Sequence, residues 1–225
     1  MTSSNTTGQT EDKISELFSE LSPEHTAYLR KLVEGGVPVE TWGTGGRKPL
    51  EALFSQLDSG ETTLKLLDGK PIRCIRVAAV NIVCAVDKLK RCRLIESRQV
   101  FTDSKGNTLK NIDGSNRVKF RKLKSSLSET IKITEEALEG AVRGIEEELG
   151  IKINPDDLVL IEEQVEFRES NSFAGLKTRY EVSRYRWEMP SKHYRSTYKD
   201  DRQIKLGERL VSHFEWIPES KEQAA

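Results

Sequence analysis

One amphipathic segment, with strand-like sequence on both sides, most constrains what this chain can fold into. Between residues 135 and 149, apolar side chains recur three or four positions apart, which is the spacing of one face of an α-helix. Gly150 follows directly, and glycine readily adopts the left-handed conformation that ends helices. The pattern predicts a helix over 135–149 that buries Leu138, Ala141, Val142, Ile145 and Leu149.

The sequence around this helix predicts a sheet. Residues 72–86 are rich in Val, Ile and Ala and carry few charges, which is typical of a buried strand. Further strands are predicted at 93–102, 158–167 and 179–188, and a last one at 211–217 closes the fold. Strands that surround a few helices in mixed order predict a layered α/β domain.

The N-terminal part of the chain has a different pattern. Residues 1–12 begin with Ser, Thr, Asn and Gly and predict a disordered tail. Residues 13–60 contain three stretches of helical spacing, and the pattern changes to that of strands at Thr62. We therefore predict three parts: the tail 1–12, an N-terminal helical extension over 13–60, and the α/β domain over 61–220.

Composition excludes several classes of partner. Lys plus Arg and Asp plus Glu both number 36, so the formal charge is zero, and neither nucleic acid nor an anionic membrane is indicated. No window approaches the roughly 18 apolar residues of a membrane span. Three cysteines without a paired spacing predict free thiols in a reducing compartment, which places the protein inside the cell, in the cytoplasm.

A second face of the predicted helix carries the chemistry. Gly144, Glu147 and Glu148 share it, because residues three and four apart are neighbours on a helix. Magnesium is usually held by one or two carboxylates, with water and substrate phosphate completing its shell. From the residues alone two interpretations stay open: a divalent-cation site, or a glutamate-rich surface.

The order of residues in this region resembles the Nudix box, G-x5-E-x7-R-E-U-x-E-E-x-G-U, in which U is a bulky aliphatic residue. Laid over residues 129–151, seven of the nine specified positions agree: Glu135, Arg143, Ile145, Glu147, Glu148, Gly150 and Ile151. Two depart, because Glu129 stands at the first Gly and Gly144 at the Glu that follows Arg. Shorter stretches over 62–218 are similar to uncharacterised eukaryotic Nudix-like proteins.

The resemblance implies a fold and an activity. The fold would be a Nudix-type α/β/α sandwich with a mixed sheet. The activity would be cleavage of a phosphoanhydride in a nucleoside diphosphate derivative, with Mg²⁺ or Mn²⁺ as cofactor. Carried over by position, Glu147 and Glu148 would be the catalytic metal ligands. Glu135, Arg143 and Gly150 would hold the structure of the motif. No substrate-binding residue is predicted.

The missing carboxylate at Gly144 leaves alternatives open. The site is degraded, and the chain is an inactive Nudix-like module that binds a nucleotide, RNA or a protein; or a carboxylate from elsewhere completes it. The candidates for the latter are Glu96, Glu163, Glu166 and Glu181. A further alternative concerns the helices at 13–57, which would form a dimerisation or docking element and so give a homodimer.

Overall fold

A computed structural model describes residue 18 and residues 21–87, 90–121 and 125–219. The predicted tail 1–12 and most of the first predicted helix lie outside these described residues. The chain divides into two compact units. The first comprises the described residues up to Arg76 with 132–134 and 164–181, and the second comprises Val77–Ile131, Glu135–Glu163 and the residues from Val182 onward. The predicted division at residue 60 stays a prediction.

The first unit holds two helices and a hairpin. Helix α1 is Pro23–Glu34, α2 is Leu50–Asp58, and strand β1, Thr63–Leu67, runs antiparallel to the start of β2, Lys70–Asp87. Asp68 and Gly69 join β1 to β2, both with positive φ, as a two-residue hairpin turn requires. Apolar side chains of the helices close a core with Phe173 and Leu176.

The second unit is built around the remaining strands. They are β3 (Lys90–Asp103), β4 (Val118–Phe120), β5 (Leu127–Ile131), β6 (Leu158–Glu169), β7 (Lys177–Glu188), β8 (Thr197–Lys205) and β9 (Glu208–Pro218). Parts of β2, β6 and β7 belong to each unit. The strand order is β6-β7-β2-β3-β9-β8, with β5 on β2 and β4 on β3. The antiparallel register of β3 with β9 shifts between Glu96 and Arg98.

Helix α3, Ala137–Leu149, lies in the second unit. Of the five residues predicted to be buried, Leu138 and Val142 are only partly buried, because they line an open depression. Ala141, Ile145 and Leu149 are buried in a core shared with strands β2, β3, β5, β7 and β9. The helix starts two residues later than predicted, with Glu136 as its N-cap, because the Glu139 carboxylate accepts the backbone N–H of Glu136 at 3.1 Å. Gly150 ends the helix in the left-handed conformation, with φ 68°.

The start of β5 is fixed by one buried serine. The Ser126 backbone N–H donates to the Val80 carbonyl at 2.8 Å, and its Oγ accepts the Ile82 N–H at 2.8 Å and donates to the Leu94 carbonyl at 2.6 Å. These bonds tie the start of β5 to β2 and β3. They hold the backbone three residues before Glu129, which therefore leaves β5 from a defined position.

The predicted mixed α/β class is confirmed, with strands of one large sheet and three α-helices among the described residues. The sandwich arrangement and the N-terminal extension stay predictions. All three cysteines are free and buried. No helix in the described part of the chain is both long enough and apolar enough to cross a membrane.

Candidate functional site

Arg143 of α3 lies at the centre of the charged groups around the helix. Its Nε and NH2 atoms donate to the two Glu135 oxygens at 2.9 and 3.2 Å. Its NH1 atom reaches Glu147 Oε2 at 3.3 Å and Glu129 Oε2 at 3.5 Å, and NH2 also donates to the Thr130 carbonyl at 3.3 Å. The fork thereby ties β5 and the loop before the helix to α3, and three carboxylates raise the pKa of Arg143.

The two positions that depart from the Nudix box meet in space. Gly144 is buried on the face of α3 toward β5, and the Glu129 side chain lies against it. A Cβ built on Gly144 would be 2.4 Å from the Glu129 Cγ, which is closer than non-bonded carbon atoms approach one another. Glu129 therefore occupies the space in which a side chain at position 144 would begin.

The Glu129 side chain extends past Gly144 toward Glu148, which lies one turn further along the helix. The two carboxyl groups lie close enough for a hydrogen bond between them to contribute to both pKa values. Burial, the Glu129 charge and this bond, helped by Glu96, raise the pKa of Glu148 to about 9. Burial also raises the pKa of Glu129, against the opposing effects of the bond and of Arg143. Glu148 therefore holds a proton at neutral pH and donates it to Glu129.

Further charged groups of the second unit act on this pair. Glu96 is buried beside the register shift of β3 and binds Gln99 at 2.8 Å and Arg121 at 3.0 Å. Burial raises the pKa of Asp200 on β8, and Glu147 and Glu96 add to this effect. The buried Asp200 Oδ2 has no hydrogen-bond partner, and Arg202 Nε lies 3.6 Å away. Carboxylates from β3, β5, α3 and β8 thus influence one another.

The arrangement of these carboxylates bears on whether a metal ion can bind. In the described ranges no group of three or more His, Cys, Asp or Glu side chains stands so that it could hold an ion. The donor chemistry nevertheless fits magnesium, because the potential ligands here are carboxylates and one or two protein carboxylates suffice for that ion. Glu129 and Glu148, whose carboxyl groups act on each other, would supply two such carboxylates.

An open depression of about 730 Å³ lies against another side of α3. Leu138, Val142 and Pro155 form its apolar part, and it reaches Arg143 and Glu147. Glu147 is the more exposed of the two adjacent glutamates, with 54% of its side chain exposed. The charged residues described above form one cluster, which comprises Arg143, Glu96, Glu129, Glu135, Glu147, Glu148 and Asp200. The depression borders this cluster at Glu147.

The predicted site residues take different positions. Glu147 and Glu148 lie next to different partners, Arg143 and Glu129 respectively. Of the four carboxylates named as completing the site, Glu96 acts on Glu148. The other three lie in different surroundings. Glu163 is exposed on β6. Glu166 and Glu181 lie in the first unit, where they form ion pairs with Arg168 and Arg179 respectively.

Two residues of the cluster were not predicted from the sequence, Glu129 and Asp200. For Asp200 no motif or spacing gave a signal. For Glu129 a signal existed, because the two departures from the motif are complementary: a glutamate stands where the motif has glycine, and a glycine where it has glutamate. Their adjacency could have been inferred from the loop between them, which returns the chain from β5 to α3.

Comparisons with known proteins give weak likenesses. No protein-family model matches the chain, and no curated protein is similar in sequence. A C. elegans Ap4A hydrolase structure has 13% identity and a TM-score of 0.30 over 62% of this chain and 80% of that one. A MutT/nudix family protein from Enterococcus faecalis has 9% identity and a TM-score of 0.30 over 72% and 57%.

A third solved structure is the T. brucei MERS1 protein in its apo form. It has 14% identity and a TM-score of 0.29, over 51% of this chain and 39% of that one. The present chain therefore spans about four tenths of the T. brucei chain. At such identities and TM-scores these structures decide neither fold nor activity, so a proposed function must rest on the residues of this chain.

Proposed function

We propose that this chain is a Nudix-type hydrolase that cleaves a phosphoanhydride in a nucleoside diphosphate derivative and depends on Mg²⁺ or Mn²⁺. The proposal includes a Nudix α/β/α sandwich over residues 61–220. One observation carries it: Arg143 joins the loop glutamate Glu135 to the helix glutamate Glu147, while Glu148 faces further carboxylates. Residues that are spaced as in the motif thus interact with one another.

In the proposed reaction each group of the chain has a distinct task. Glu147 and Glu148 would hold the cation, and a bound cation activates water and neutralises charge that develops on phosphate. Arg143 is a positioning residue, because its bonds to Glu135 and to the Thr130 carbonyl fix the loop relative to the helix. The proton on Glu148 must leave before that carboxylate binds a cation.

The test is turnover by the full chain with Mg²⁺ or Mn²⁺ on a panel of nucleoside diphosphates linked to sugars, nucleosides or further phosphates. We expect release of a nucleoside monophosphate, and a fall of about 100- to 1000-fold in Glu148→Gln, the range seen when a group that stabilises transition-state charge is removed. Glu146→Gln is the matched control, since Glu146 lies on the same helix and faces Lys152 at 3.6 Å.

Two outcomes contradict the hydrolase. One is a panel without any metal-dependent product, and the other is an unchanged rate in Glu148→Gln. Metal-independent binding of a nucleotide without turnover would instead support the second candidate, an inactive Nudix-like binding module. That candidate is favoured by the proton that Glu148 holds beside Glu129, and by the lack of three metal-binding groups placed around one point among the described side chains.

A further inference from the structure

The exchange of residues between positions 129 and 144 has a steric basis. A side chain at 144 and the present Glu129 side chain need the same space, because the Cβ-to-Cγ distance would be 2.4 Å. Position 144 lies in the interior of α3, where glycine stabilises a helix less than alanine does. The helix therefore contains an unfavourable residue, and the space beside it is filled by the side-chain methylene group of Glu129.

Glu129 is held in that space by its surroundings. Ser126 fixes the start of β5 by three hydrogen bonds, and Arg143 NH1 lies 3.5 Å from Glu129 Oε2. Only 16% of the Glu129 side chain is exposed. An ordinary solution for this buried spot would be an apolar side chain, since a carboxylate loses hydration there. Packing alone therefore does not account for an acid at position 129.

The carboxyl group of Glu129 lies beside Glu148, which the motif assigns as a ligand of the cation. The Glu129 side chain packs against Gly144, one helical turn before Glu148, and the carboxyl groups of Glu129 and Glu148 act on each other. In the consensus motif a glutamate at 144 would lie one turn before Glu148 on the same face. Glu129 thus brings a carboxylate from β5 to the same neighbourhood from which the helix has lost one.

We propose that Glu129 and Gly144 are an exchanged pair, in which Glu129 supplies from the strand the metal-binding carboxylate that the helix lacks at position 144. This inference rests on the proposed function, since it concerns the same cation. It makes the motif of this chain complete in carboxylates, with one donated from β5.

The experiment is calorimetric titration of the full chain with Mn²⁺ alone, without nucleotide, at one fixed pH. Glu129→Gln keeps the size of the side chain and removes its charge, and we expect it to weaken Mn²⁺ binding at least about tenfold, the lower bound for groups that only orient metal ligands. The double variant Glu129→Gly with Gly144→Glu moves the carboxylate back to the helix, and its affinity should return to within a few-fold of the unsubstituted chain.

Controls separate the two proposals. Glu146→Gln should bind Mn²⁺ as the unsubstituted chain does, and circular dichroism melting checks that each variant is folded. If the unsubstituted chain binds Mn²⁺ and Glu129→Gln binds it equally well, the exchange is wrong while the hydrolase stands. If the unsubstituted chain takes up no Mn²⁺, both proposals are wrong. Should the double variant not fold, Glu129→Gln alone decides.

Discussion

Two shielded carboxylates of the second unit have opposite surroundings. Glu219, after the end of β9, accepts hydrogen bonds from Arg91 at 2.9 Å and from Arg186 at 2.7 Å. Burial would raise its pKa, but these two arginines lower it. Glu148 meets the carboxyl group of Glu129 instead, and its pKa rises to about 9. Two arginines therefore accompany a lowered pKa at Glu219, whereas burial and a neighbouring carboxyl group accompany a raised pKa at Glu148.

We infer from this difference that the charge of Glu219 is structural, whereas Glu148 belongs to the proposed functional site. A buried acid that only stabilises the fold is supplied with cations, as Glu219 is. Glu148 is surrounded by acids, which destabilise its ionised form, and Arg202 opposes their effect only in part. Strongly shifted acids of this kind concentrate at functional sites.

Substitution of Arg143 should have the largest effect on stability, because Arg143 is the cation that balances part of the carboxylate cluster. Arg143→Met would leave Glu135 and Glu129, each with 16% of its side chain exposed, without their guanidinium. We expect a loss of about 2 kcal/mol in the free energy of unfolding, below the 3–5 kcal/mol of fully buried pairs because 36% of the Arg143 side chain is exposed. Chemical denaturation measures it.

The control for that variant is Arg209→Met. Arg209 also binds a carboxylate, Asp201 at 2.7 Å, and 38% of its side chain is exposed. Because its partner is half exposed, its loss should be below about 1 kcal/mol. Equal losses in the two variants would show that Arg143 is an ordinary surface partner and that the cluster needs no internal cation.

Gly144→Ala should change stability in opposite directions with and without the Glu129 side chain, and this contrast sharpens the comparison. In the unsubstituted chain the new methyl group meets Glu129, and we expect a destabilisation of about 1–2 kcal/mol, typical of overpacking. In the Glu129→Gly background the same change should stabilise by about 1 kcal/mol, the helix propensity gained. Denaturation of the four proteins gives the coupling, and additive effects would contradict the close contact.

The sequence predicted much of the fold because its signals are periodic. The apolar spacing of α3, its end at Gly150 and the strand-like runs such as 72–86 all describe what a local segment buries. The start of the helix was placed too early, at residue 135. Its N-cap, Glu136, is set by the Glu139 carboxylate, a side-chain contact that the apolar spacing does not indicate.

Only the candidate site residues that follow one another within the motif could be predicted from the sequence. Glu147 and Glu148 could be named from their order, but their different partners depend on β5 and on the direction in which each side chain leaves the helix. Glu129 and Asp200 reach the cluster from strands whose pairing is long-range. Such pairing has no fixed spacing in sequence, and so neither residue was found.

The pH dependence of stability tests Glu148 directly. In chelator-treated protein, folding keeps a proton on Glu148 that the unfolded chain releases above the ordinary value of 4.5. Its contribution to stability is therefore complete below that pH and is lost as the pH rises toward about 9. Glu148→Gln cannot ionise, so its melting temperature at pH 8 should exceed that of the unsubstituted chain by roughly 2–4 °C, corresponding to about 1 kcal/mol. Melting curves with parallel pH profiles would contradict the protonated pair.

Glu219→Gln should show the opposite sign and the smallest effect. The lowered pKa of Glu219 gives stability that is present above its ordinary value of 4.5 and is lost as the pH falls through the folded value. The amide keeps the shape but removes the charge, so we expect a loss of about 1 kcal/mol or less at neutral pH that vanishes in acid. Glu215→Gln is the matched control, because Glu215 is half exposed and lies 3.6 Å from Arg98. If Glu219→Gln stabilised the protein as Glu148→Gln does, the contrast between the two carboxylates would be wrong.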